Sequence, residues 1–227
     1  MVATPAQPAV RKAEGAKAFP QYFALLNAWL LDAGGAEPIT GAHPARGIHA
    51  SPSGPSHPDL FLLCSSPETA DFAGRAGVGM VFAEFIARAD GAPAVSAYRA
   101  AFAPSAFRTA GWAGVATIAL AAETAEAAGR LAAPMRASAL AGLDGPGADG
   151  ERPRFPRIED ALAFLEARRD DPRLAGVTAR AIVGDPETVR RGLEAKTEAT
   201  GADELFVMAV GPDLASRVRS LELIKAG

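Results

Sequence analysis

At 227 residues the chain is long enough for one large domain or two small ones, and a hydrophobic content of 49% allows a sizeable packed core. A net charge of −3 excludes the strongly basic footprint of a nucleic-acid or anionic-membrane binder, and no run approaches the roughly 18 apolar residues of a membrane span. The one cysteine, Cys64, excludes an internal disulfide and suits a reducing compartment, so a soluble, cytoplasmic protein is expected.

The start, Met1 to Pro8, lacks a basic n-region and an apolar h-region, and its prolines suggest a disordered lead over residues 1–18. Pro20 to Leu31 follows as a helix, because Tyr22, Phe23, Leu26, Trp29 and Leu30 recur at helical spacing, and Gly34-Gly35 ends it. Residues 36–58 are rich in Pro, Gly, Ser and His and read as a long loop. Its histidines, His43, His49 and His57, are spaced by 6 and 8, which matches no helix face or compact metal motif, so no metal is expected.

The segment Leu60 to Ile86 carries the most information. Leu60-Phe61-Leu62-Leu63-Cys64 is a continuous apolar run, as in a parallel strand covered on both faces. Cys64 within it reads as a small buried hydrophobe rather than a nucleophile. Ser65-Ser66-Pro67-Glu68 then reads as a helix start, with Ser66 at the N-cap and Pro67 in the first turn. Such a turn is either an ordinary cap in a βαβ unit or a cradle for an anion, phosphate being a common occupant. Met80 to Ile86 is the second strand.

Pro93 to Phe102 reads as a helix, Trp112 to Leu120 as a third strand, and Glu123 to Met135 as an alanine-rich helix. Residues 142–156 have the composition of a mobile excursion, with Arg152, Arg154 and Arg157 placed to close over an anion or simply to be solvated. A helix from Ile158 to Arg168 follows. Asp185-Pro186-Glu187-Thr188 is a strong helix start, with Gly201 at that helix's end. Leu205 to Val210 is a fourth strand and Asp213 to Ala226 the last helix. Four apolar strands alternating with helices imply an α/β fold with a parallel sheet, either doubly wound or part of a (β/α)8 barrel. There is no nucleophile elbow, P-loop or GxGxxG. Ligands in such folds sit beyond the C-terminal ends of the strands, where Ser65, Ser66 and Glu84 fall. Glu84 is either a polar residue of the substrate pocket or a solvated carboxylate.

Three stretches together resemble the luciferase-like flavin-dependent monooxygenases, a TIM-barrel family. Leu63 to Phe82 is similar to the family's strand, Ser-Ser turn, helix and strand. Ala121 to Ala128, Ala-Ala-Glu-Thr-Ala-Glu-Ala-Ala, resembles its acidic segment. Ile182-Val183-Gly184-Asp185-Pro186-Glu187-Thr188-Val189, followed by Ala199 to Leu205, looks like its closing signature. The match spans about residues 19–225 as one domain of 19–227, and covers strands five to eight of the family's barrel. The resemblance implies a partial or shortened TIM-type barrel that binds FMN, or alternatively a deazaflavin (F420). Ser65 and Ser66, with the backbone N–H groups around Glu68 and Thr69, would hold the phosphate, and reduced flavin with oxygen would act on a small organic substrate. Relatives often carry Gly where Cys64 stands and His near Glu84 and Phe85. An isolated half-barrel leaves two sheet edges and an apolar inner face exposed. Hence a homo-oligomer, or a heteromer with a complementary half-barrel, is expected. The alternative to an enzyme is a non-catalytic flavin- or phosphate-binding relative, or a subunit completing a split barrel.

Overall fold

The computed structural model describes residues 8–33, 46–49, 51–54, 56–145 and 155–226, with side chains from Lys17 onward. These residues divide into two units, the first comprising the chain up to Leu60 together with Pro104–Thr109, and the second the remainder. In the first unit, helix α1 (Pro8–Ala33) begins well before the expected Pro20 start, so part of the expected 1–18 lead is helical. Phe23 and Leu31, eight residues apart on one face, are its buried apolar side chains, whereas Tyr22 and Leu26 are exposed. The loop histidines that are described have local roles. His49 Nδ1 lies 2.9 Å from the Asp32 carboxylate, and the His57 ring packs edge-on against Phe107. His43 lies outside the described residues. Among the described residues no group of three His, Cys, Asp or Glu side chains is placed to hold a metal ion.

The second unit opens with β1 (Phe61–Cys64), α2 (Pro67–Arg75), β2 (Gly79–Ala83), α3 (Glu84–Ala87), α4 (Ala92–Ala101) and β3 (Ala113–Ala121). It continues with α5 (Ala125–Ala141), α6 (Ile158–Glu166), α7 (Arg173–Thr178), β4 (Ala181–Gly184), α8 (Pro186–Thr200), β5 (Glu204–Met208) and α9 (Leu214–Ala226). All strand pairs are parallel, giving the alternating α/β sheet expected from the apolar runs. Two boundaries differ. The expected second strand stops at Ala83, because Glu84 turns the chain into α3 and its carbonyl accepts from Arg88 N–H at 2.7 Å. A short fifth strand, β4, forms from Ile182-Val183-Gly184, read from sequence only as the approach to a helix start.

β3 organises the sheet. Trp112 C=O accepts from Met80 N–H, and Ala122 N–H donates to Gly184 C=O. Ala113 C=O accepts from Asp203 N–H, and Ala121 N–H donates to the buried Ser220 hydroxyl. Since successive residues of a strand point their polar groups to opposite edges, β2 and β4 share one edge of β3, and β5 and α9 take the other. β2 pairs with β3 as far as Ala116, and β4 joins at Ile118. The two strands therefore fork along that edge.

Side chains alternate between the two faces of the sheet. One face is closed by helices: Met80, Phe82, Val115, Ala119 and Tyr98 of α4 are all at most 1% exposed. Tyr98 bridges two strand starts, donating to Val78 C=O at 3.0 Å and accepting from Trp112 N–H at 2.9 Å. A Cβ at Gly74 of α2 would stand 2.6 Å from the Tyr98 carbonyl oxygen, so only glycine permits this α2–α4 approach. On the opposite face Phe61, Trp112 and Phe206 form an edge-on aromatic series, with centroids 5.1 and 6.2 Å apart. That face is open over β1 and β5, where Phe61 is 45%, Leu63 62%, Phe206 42% and Met208 37% exposed, but buried at Leu120 of β3.

Candidate functional site

The Ser65-Ser66 corner follows the C-terminal end of β1 directly. Ser66 is the N-cap of α2, with its hydroxyl accepting from Thr69 N–H at 3.3 Å. Thr69 Oγ1 in turn accepts from Ser66 N–H at 3.2 Å and donates to Ser66 C=O at 2.8 Å. This reciprocal box satisfies the Ser66 and Thr69 N–H groups, and Pro67 contributes none. Glu68 stands fully in solvent in the same turn, and the Ser66 hydroxyl holds its carboxyl below the ordinary value. Ser65 is exposed. Cys64, beneath the corner, is buried, and its thiol pKa is pushed up by that burial.

As a phosphate cradle the corner offers the Ser65 and Ser66 hydroxyls, the Glu68 N–H and the positive end of the α2 dipole. These donors suit a phosphate, provided the Glu68 carboxylate swings away from the Ser66 hydroxyl, which its full exposure allows.

Glu84 opens α3 one strand over. Its side chain is only 9% exposed and its Oε1 accepts from both Gly91 N–H and Lys196 Nζ, each at 3.0 Å. A freely solvated carboxylate at a strand end is therefore replaced by a half-buried ion pair tying the β2 exit to α8. Asp90 extends the pair, 3.5 Å from the same ammonium. Glu84, Lys196 and Asp90 wall a cleft of about 380 Å³ at the fork, together with Arg88, Arg180 and the buried Thr117. The fork is where one edge of β3 passes from β2 to β4, so the backbone there leaves room for a ligand. None of Ser65, Ser66, Glu68 or Thr69 is among the described residues lining this cleft. Two separate places beyond strand ends thus emerge. Lys196, Arg88 and Arg180 carried no local signal, since each comes from a different element more than 80 residues from at least one of the others it meets. Of the three arginines of the excursion, Arg152 and Arg154 lie outside the described residues, and Arg157 is the exposed N-cap residue of α6.

Among the described residues no helix is long and apolar enough to cross a membrane. A family model described as luciferase-like monooxygenase matches residues 9–204. The uncharacterized protein YwcH of Bacillus subtilis (strain 168) is 31% identical over 183 residues, which cover 81% of this chain and 54% of that protein. YceB of the same organism, also uncharacterized, is 31% identical over 180 residues, covering 79% of this chain and 53% of that protein. The crystal structure of apo-MsnO8 superposes with a TM-score of 0.69 at 28% identity, covering 86% of this chain and 57% of that one. The chain spans about half the length of the curated relatives it matches.

Proposed function

The chain belongs to the luciferase-like monooxygenase family, and from that premise we propose that it is a flavin-dependent oxidoreductase of the monooxygenase type. Its cofactor is FMN, with a deazaflavin as the alternative, and its substrate is a small organic molecule. The observation that carries the reading is the family match over residues 9–204, with the Ser65-Ser66 turn standing at the C-terminal end of β1. The bound flavin would supply the electron transfer and oxygen chemistry. Ser65, Ser66 and the Glu68 N–H would grip its phosphate, and Glu84 would belong to the substrate side of the site.

Titration with FMN, followed by the visible absorbance of the flavin, tests the anchoring. A saturable spectral change is expected, and Ser65→Ala/Ser66→Ala weakens it by at least tenfold, the scale of two lost charge-assisted hydrogen bonds. Glu68→Gln tightens FMN several-fold, because a like charge leaves the phosphate's neighbourhood. No spectral change, or unaltered affinity in the double variant, removes the anchoring role.

The uncovered face favours a second reading, in which the chain is a non-catalytic flavin-binding relative or a subunit. Four exposed large hydrophobics on one sheet face are best buried by a second copy or by a complementary half-barrel. Bound flavin without oxygen-dependent oxidation of any aldehyde tested would support this second reading over the first.

A further inference from the structure

We propose that the fork between β2 and β4 holds an oxyanion, the carboxylate or phosphate group of a small organic ligand, on Arg88, Arg136 and Arg180. The proposal deepens the functional reading by giving the ligand of this rim a class, an anionic small molecule, and it rests on that reading only for the ligand's role. The binding itself needs no flavin.

Arg88 and Arg180 line the 380 Å³ cleft and also a smaller adjoining one of about 160 Å³, which Arg136 of α5 lines with Phe85, Ile118 and Met135. Three arginines from three separate elements therefore border the smaller cleft, and two of them the larger one as well, with apolar surface beside them for a ligand's body. Most other arginines of this unit are paired, the exposed Arg157 and Arg217 being without an ion pair among the described residues. Arg99, Arg130, Arg168, Arg173, Arg190 and Arg219 each pair with a carboxylate. Among the described residues, Arg88, Arg136 and Arg180 have no ion pair and no side-chain hydrogen bond.

Nor can the carboxylates of the cleft serve them. Glu84 is already taken by Lys196 and Gly91 N–H, and Asp90 leans on the same lysine. Arg136 is the most telling of the three: its Nε is buried without any hydrogen-bond partner. Burial alone pulls its pKa down, with no neighbouring anion to restore it. A buried charged donor left unmatched is costly, and an anion held against the accessible part of the same guanidinium would offset its charge. Arg88 is the left-handed C-cap of α3. It is the one non-glycine residue with positive φ (55°) among the described residues, which fixes where its side chain leaves the end of α3. Guanidinium forks match the planar oxygens of carboxylate and phosphate bidentately, which lysine cannot do. The larger cleft suits a molecule of metabolite size, and the smaller one a single oxyanion group.

The test is calorimetric titration of the full chain with propionate, with inorganic phosphate, and with propionamide as the neutral match for propionate. The anions are expected to bind and the amide not to. Arg136→Gln and Arg180→Gln each weaken anion binding roughly tenfold or more, with thermal unfolding confirming that the variants are folded. Arg136→Lys, which keeps the charge and loses the fork, recovers only part. Arg217→Gln, on the exposed side of α9, leaves the affinity unchanged. Parallel titrations with FMN and riboflavin separate the two sources of such a group. If Arg136→Gln abolishes the preference for FMN over riboflavin, the oxyanion is the flavin's own phosphate. If FMN affinity is untouched while propionate is lost, the oxyanion belongs to the substrate. Anion binding that persists in a chain unable to bind any flavin leaves the recess standing and removes only the flavin reading. Equal binding of propionamide, no binding of either anion, or full affinity in both glutamine variants overturns the proposal.

Discussion

The two faces of the sheet are built from the same kinds of residues and end in opposite conditions. On the helix-covered face Tyr98, Phe82, Met80 and Val115 are at most 1% exposed, and the Tyr98 hydroxyl is satisfied twice. On the other face Phe61, Leu63, Phe206 and Met208 are comparably apolar yet open. The contrast teaches that strand hydrophobicity on both faces signals two coverings, of which this chain's described helices supply one. The chain spans about half the length of its curated relatives.

The largest effects should come from breaking the closed face. Tyr98→Ala is expected to lose about 3–5 kcal/mol in urea unfolding, the range for truncating a buried aromatic. Tyr98→Phe, which strands Val78 C=O and Trp112 N–H without their partner, should lose about 1–3 kcal/mol. If both cost less than about 0.5 kcal/mol, the closed face is not the core. On the open face, a mass measurement in solution decides the matter. An oligomer is expected, converted to monomer by Phe206→Glu, and a stable wild-type monomer would contradict the idea that this face seeks a partner. Should the chain be monomeric, Leu63→Ser should change stability by no more than about 0.5 kcal/mol, as for any exposed site.

Smaller effects sharpen the comparison at the edges of the sheet. Ser66→Ala removes the cap of α2 and should cost about 1 kcal/mol, measurable without any ligand. A Ser66→Ala variant with full stability but weakened FMN binding would mean that the hydroxyl acts on the ligand rather than on the helix. The smallest effect is in acid. Arg173 holds the half-buried Asp171 carboxyl down to about 2 from an ordinary 3.8, and Arg168 and Arg173 lower Asp144 in the same network. Because these pKa values are depressed by folding, their stabilisation is complete above the unfolded value and disappears as pH falls through the folded one. Urea midpoints should stay level at neutral pH and decline as pH drops from 3.8 toward 2. Asp171→Asn should make that decline shallower, and an unchanged slope would remove the network's contribution.

Much of the fold was legible along the chain. Apolar runs such as Phe61–Cys64 and Val115–Leu120 announce parallel strands, because a strand covered on both faces has no polar alternation, although Phe61 and Leu63 of the first run stand exposed on one face. The starts Ser66-Pro67 and Asp185-Pro186 became N-caps, since a side-chain oxygen reaching a first-turn N–H is a matter of two or three residues. The Ser65-Ser66 corner as a feature was visible for the same reason. Boundaries decided by distant partners were not visible. Glu84 ends β2 because Gly91 N–H and Lys196, more than a hundred residues on, claim its carboxylate. β4 is a strand only because β2 has vacated that edge of β3.

Local chemistry, then, settled which segments are helices and strands and which turn carries hydroxyls, because caps, periodicity and propensity act within a few residues. Only the tertiary structure decided that Arg88, Arg136 and Arg180 share a recess, that Glu84 is paired, and that one apolar face is closed while its mirror is open. Those outcomes depend on which elements meet in space, and charge pairing and burial act across that space without regard to sequence separation.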